Sequence, residues 1–164
     1  MSLKPALIDG ADIRERLRVD HQRFLEELDE VCTVTDERRS QARLQELRRG
    51  WRVHALTEEM VVYRALEGVD ATASSGNRAD DRFAEHELVE AMFDKLSCLT
   101  PRMHEWQARL DVLLSLLQRH VDTDHFEMFP RLAERFDAAQ LAELGEQFAL
   151  ARDKLTLLEE LKAA

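Results

Sequence analysis

Apolar positions recur along this chain at steps of three and four, the spacing of one helix face. Ile13, Leu17, Phe24, Leu28 and Val31 form the first line and predict a helix from about Asp9 to about Cys32. The segment TVTDE then reads as a turn, with Thr35 or Asp36 as the cap of the next helix. That second helix carries Leu44, Leu47, Trp51, Val61 and Ala65 and is expected to end near Gly68. VDATASSGNRA is small and polar throughout and predicts a loop. A third helix from near Asp80 carries Phe83, Val89, Phe93 and Leu96, and SCLTPRM closes it. Thr100 and Pro101 read as the cap and first turn of a fourth helix, with Trp106, Leu110, Leu113 and Leu117 on its buried line. Pro130 has no N–H and is expected to end or kink that helix. DAAQ, from Asp137, fits a capping-box start to a fifth helix, through about Leu161, packed outside the others or at one end. Four long helices with short connections predict an all-α fold: an up-down-up-down four-helix bundle with an additional C-terminal helix. A chain of 164 residues suits one domain spanning residues 1–164.

The apolar lines contain residues that do not belong in a core. On helix two the order is Leu47, Trp51, His54, Glu58, Val61, Ala65, so His54 and Glu58 hold seam positions. Helix four continues Leu113 and Leu117 with His120, Asp124 and Glu127 at the same steps. His21 falls between Leu17 and Phe24 on helix one, and His86 between Phe83 and Val89 on helix three. Each bundle helix therefore puts a histidine in its buried line, and two add a carboxylate four residues on, on the same face. A buried unpaired carboxylate is costly in an apolar seam. One such histidine alone is more often a satisfied core residue than a ligand. Four imidazoles and two carboxylates at matching positions favour a cation site over a structural polar network.

The two halves also repeat. DHQRFLEELDEV (20–31) aligns with EHELVEAMFDKL (85–96), and HALTEEMVVYRAL (54–66) with HVDTDHFEMFPRL (120–132). The alignment matches His21 to His86, His54 to His120, Thr57 to Thr123 and Glu58 to Asp124. Each half offers two histidines and one carboxylate, an inventory suited to two metal ions. Imidazole with carboxylate suits iron, manganese or zinc.

Composition narrows the partners. The net charge of −10 disfavours nucleic acid, whose phosphates would repel the chain. No apolar run has the length of a membrane span, and MSLKPALIDGAD lacks the apolar stretch of a signal peptide. Cys32 and Cys98 do not make a disulfide framework; two reduced, mostly buried thiols and a cytoplasmic location are the expectation.

The order His21, His54-x-x-x-Glu58, His86, His120-x-x-x-Asp124 resembles the hemerythrin-like, HHE cation-binding family. The resemblance runs from about Asp20 to the end of helix four. It implies that His21, His54, Glu58, His86, His120 and Asp124 are ligands of a non-haem di-iron centre, two ions bridged by both carboxylates and an oxo or hydroxo group. It favours iron over zinc or manganese. If each ion keeps three bridging atoms and two histidines, one position stays open on each, suited to dioxygen, peroxide or another small oxidant. The implied function is a binding or sensing protein acting on a protein partner, or alternatively an enzyme consuming peroxide or dioxygen. The oxygen-carrying members have a further histidine four residues before the one on helix three. Here that residue is Arg82, and the residue five after His120 is His125 rather than a carboxylate, which argues against reversible oxygen carriage.

Helical phase places the remaining polar residues. His125 reads as partly exposed, with a fifth ligand as the sharper reading. His104 is expected in solvent, Glu90 on a solvated face, and Tyr63 outside the metal layer. Glu127 stays open as supporting residue, ligand or surface acid.

Overall fold

The computed structural model describes residues 11–70 and 78–163, and the side chains of 11–68 and 82–162. Among these residues the regular secondary structure is all helix, with no strand. The helices are α1 (Ile13–Thr33), α2 (Glu37–Glu58), α3 (Arg64–Asp70), α4 (Arg78–Ser97), α5 (His104–Thr123), α6 (Phe129–Arg135) and α7 (Ala138–Ala163). Two five-residue π-helical turns interrupt the series, Glu59–Tyr63 between α2 and α3 and Asp124–Met128 between α5 and α6. Each joins its neighbours into one longer rod, so the expected second and fourth helices are both present.

The start and stop signals act much as their chemistry suggests. The Asp12 carboxylate accepts from the Arg14 and Glu15 amides and caps α1; Asp9 lies outside the described residues. Asp36, not Thr35, caps α2, its Oδ1 accepting from the Arg39 amide at 2.8 Å. Gln140 and Asp137 exchange side-chain-to-amide bonds of 2.9 Å in both directions, which is the capping box foreseen at DAAQ. One expectation needs correction, and one alternative of another is excluded. Thr100 and Pro101 do not open α5: the Thr100 carbonyl accepts from the Met103 amide at 3.0 Å, so Pro101 sits inside a turn, at the position its fixed φ favours, and α5 begins at His104. Pro130 does not end its helix, which runs on to Arg135; it stands near the start of α6, directly after the π turn, where the regular hydrogen-bond ladder has already been broken. The expected loop lies largely in 71–77, outside the described residues, and α3 passes Gly68 to Asp70.

α1 packs against α2 and α5, α4 against α2 and α5, and α7 against α1 and α2. Two apolar clusters fill the interior. One gathers Phe24, Leu28, Leu47, Trp51, Phe93, Leu113 and their neighbours; the other joins Ile13, Leu17, Val62, Leu132, Leu144 and Phe148. The four seam histidines lie between these clusters. α7 therefore packs on the outside of the α1–α2 pair yet inserts Phe148 into the second cluster. Gly145 allows that approach, since a Cβ there would stand 2.5 Å from the Ala11 carbonyl oxygen. Cys32 and Cys98 are exposed rather than buried. Both sit near helix ends beside core residues, Cys32 after buried Val31 and Cys98 before half-buried Leu99, but on the solvent side. No helix among the described residues is long and apolar enough to cross a membrane.

Candidate metal centre

Each half of the centre begins with a threonine. Thr57 Oγ1 donates to the Val53 carbonyl at 2.6 Å, and Thr123 Oγ1 to the Arg119 carbonyl at 2.9 Å. Such bonds to the carbonyl one turn back loosen and bend a helix. The matched threonines stand directly before Glu58 and Asp124, at the two π turns, and so the internal repeat extends to a backbone feature that helical phase does not report. π turns inside α-helices are frequent at functional sites.

The structure brings all six sequence-predicted residues together. His21, His54, Glu58, His86, His120 and Asp124 are each at most 4% exposed. Glu58 Oε2 lies 3.2 Å from His86 Nε2, 3.7 Å from His120 Nε2 and 3.8 Å from His54 Nε2. Asp124 Oδ2 lies 3.4 Å from both His21 Nε2 and His120 Nε2, and His54 Nε2 faces His120 Nε2 at 3.4 Å. Ligand atoms of His21, His54, Glu58 and His120 all fall within 4.8 Å of one another. Two ligands of one ion, each about 2.1 Å from it, are at most about 4.2 Å apart, so a small inward shift suffices.

The donor set fits a cation in three further respects. Both His21 ring nitrogens, Glu58 Oε1 and Asp124 Oδ2 are buried with no hydrogen-bond partner. Burial holds His120 well below its ordinary pKa and hence neutral, the form that binds metal. Burial and the Glu58 charge both raise the Asp124 pKa. Burial also opposes ionisation of Glu58, but the His86 hydrogen bond and the His54 and His86 charges outweigh it, and its pKa falls. For His86 burial disfavours the cation, yet its bonds to Glu58 and Glu59 raise its pKa to about 9. Without a metal, then, protons do some of the charge compensation, and an entering cation must displace them.

Outward partners orient two of the rings. His86 Nδ1 is hydrogen-bonded to Glu59 Oε1 at 2.7 Å, while His54 Nδ1 faces Asp20 Oδ2 at an ion-pair distance of 3.5 Å without a hydrogen bond; in both rings Nε2 points to the centre. Carboxylates placed this way fix a metal-binding ring and raise its basicity. Asp20 in turn accepts from Arg152 Nη1 of α7 at 3.2 Å. Sequence reasoning missed Asp20 and Glu59. Asp20 was legible, because it falls three residues after Leu17 and four before Phe24, inside the apolar line. Glu59 was not, because it faces His86 only through the π turn.

The same turn corrects the placing of Tyr63. It is buried at the centre, its hydroxyl 3.1 Å from Glu58 Oε2 and 3.3 Å from His86 Nε2. A wider turn advances each residue by less than 100°, so the phase counted from His54 overshoots. Tyr63 stacks on His86 at 5.7 Å between ring centroids, and Phe129, its repeat partner, stacks on His21 at 6.5 Å. His125 is half-buried beside His21, ring centroids 5.6 Å apart, as a partly exposed histidine. It lines, with Arg18, His21, Leu25, Glu26 and Val121, an open cleft of about 790 Å³ between α1 and α5. Glu127 and His104 are exposed, away from the buried centre. Glu90 is not a freely solvated acid: it pairs with Arg48 at 2.7 Å and Arg52 at 3.0 Å.

Fold and cluster define a class: helical bundles that hold a cation between their helices. The chain belongs to the hemerythrin HHE cation-binding domain family, whose model matches residues 12–132. No curated protein and no solved structure matches the chain.

Proposed function

We propose that the chain is a one-domain, up-down-up-down bundle carrying a two-iron centre. His21, His54, Glu58, His86, His120 and Asp124 would hold the ions, and Glu58 and Asp124 would bridge them together with an oxo or hydroxo group. The observation that carries this reading is the cluster of buried ligand atoms lacking partners between four converging histidines. The helix pairings α1–α2, α2–α4, α4–α5 and α5–α1 support the proposed order of the bundle.

Bound iron would supply open coordination positions for dioxygen, peroxide or another small oxidant. The chain's own residues do the rest. Asp20 and Glu59 hold the His54 and His86 rings in register, Tyr63 donates to Glu58, and the two apolar clusters exclude water above and below. The cleft at His21 and His125 supplies a route from solvent. The function follows as binding or sensing of the oxidant or of iron, read out through the bundle surface by a protein partner in the cytoplasm. The second reading, an enzyme that consumes peroxide or dioxygen, is favoured by Tyr63 and Arg82, which put hydrogen-bond donors at the centre. Peroxide disappearance measured with iron-loaded protein separates the two. Catalytic loss over many equivalents selects the enzyme, and a single stoichiometric spectral change selects the sensor.

A further inference from the structure

Arg82 is the buried cation for which a bridged metal centre, by itself, has no use. It is 6% exposed, and its Nη1 donates to Asp124 Oδ1 at 3.2 Å. Its Nη2 is buried and has no hydrogen-bond partner. A guanidinium kept only to neutralise a carboxylate is expected to use its fork, two parallel N–H donors on two oxygens. Here the pairing is single. Asp124 Oδ2 is turned away toward His21 and His120, and Nη2 is left over.

The internal repeat sharpens the point. Arg82 stands four residues before His86, where the other half has Leu17 four before His21. Leu17 is fully buried in the apolar core, so packing at this place in the repeat is satisfied by an aliphatic side chain. The charge is an addition to one half only. The polar members of two other matched pairs, Tyr63 against Phe129 and Glu59 against His125, come from the opposite half but meet the same histidine, His86. Arg82 lies over the Tyr63 ring, 5.7 Å from its centroid, and the Tyr63 hydroxyl reaches Glu58 and His86. Guanidinium and phenol thus flank the His86 end of the cluster.

We propose that Arg82, through its free Nη2, is the specificity-determining residue of the centre and makes it favour small anionic ligands, hydroperoxide among them, over neutral dioxygen. The inference rests on the metal-centre reading above. A buried guanidinium attracts an anion strongly and a neutral diatomic hardly at all.

The test uses full-length protein loaded with iron, with iron content measured for every sample. Azide is the anionic probe, titrated into the oxidised protein by its absorption. Nitric oxide is the neutral probe, titrated into the reduced protein. Arg82→Leu, the residue of the other half, and Arg82→Gln should weaken azide roughly tenfold or more, while nitric oxide binding and iron content stay within about twofold. Arg82→Lys should retain part of the azide affinity. Unchanged azide affinity overturns the proposal, as does an equal loss for both probes, which would mark a structural role. In the unaltered protein, azide bound beyond hydrogen-bond distance of Arg82 Nη2 in a crystal structure also overturns it, whatever the variants do. Wild-type protein that takes up no iron defeats the metal-centre reading and this inference together; iron-loaded protein with Arg82-independent azide binding defeats this inference alone.

Discussion

The Tyr63 hydroxyl meets Glu58 Oε2 at 3.1 Å, five residues along the same rod, because the π turn Glu59–Tyr63 brings it back over the face it would otherwise leave. Backbone geometry thus adds a donor to one carboxylate of the centre. Its repeat partner, Phe129, has no hydroxyl and leaves the other half without one. Replacing Tyr63 by Phe removes a buried bond to a charged acceptor, with an expected cost of about 1.5–3 kcal/mol. Thermal melts should show that loss in chelated protein and a smaller one in metal-loaded protein, where a cation compensates Glu58.

Asp20 links α7 to the centre. It faces His54 Nδ1 and accepts from Arg152. Asp20→Asn should lower metal affinity about 10- to 100-fold, as loss of a ring-orienting carboxylate does elsewhere. Arg152→Gln should act in the same direction and less. Equilibrium dialysis against a metal buffer measures both.

Glu58→Gln should reduce bound metal well below that of the unaltered protein, while His104→Gln, on the exposed start of α5, should leave it unchanged. Inductively coupled plasma analysis of the two variants checks the contrast. Equal effects would contradict the assignment of Glu58.

Stability of the chelated protein should depend on pH on both sides of neutrality. His86 has a folded pKa raised to about 9 from an ordinary 6.5, so its contribution is full below 6.5 and fades as pH rises toward 9. His120 is shifted the other way, so it contributes above 6.5 and destabilises the fold as pH falls below that value. Denaturant melts from pH 5 to pH 9 should peak between these limbs. Metal loading should flatten the alkaline limb, because a ligating His86 is already neutral.

The steps of three and four identified the buried lines, and the violations of those lines identified the six clustered residues together with Glu127, which is exposed. Both follow from a regular 3.6-residue period, which the sequence shows directly. Asp20 sat in the same line and was readable on the same grounds. Tyr63 and Glu59 were not, because their positions depend on π turns that change the period locally. The paired threonines at 57 and 123 are the only trace of those turns in the residue pattern, and a threonine in a helix has many other uses. Cys32 and Cys98 were misplaced for a different reason: composition says nothing of which side of a helix a cysteine takes, and both face solvent next to core residues. The cap at Asp36 and the box at Asp137 were legible because their bonds span three residues.

The central claim is that a cation, not a proton network, satisfies the buried cluster. Metal content and melting temperature measured together on one preparation, purified without added metal and then chelated and reloaded anaerobically with ferrous iron, test it most directly. Two metal ions per chain are expected, with a melting temperature that falls on chelation and returns on reloading. Protein that holds no metal and melts at the same temperature before and after ferrous iron would show that the six residues satisfy one another unaided, and would contradict the claim.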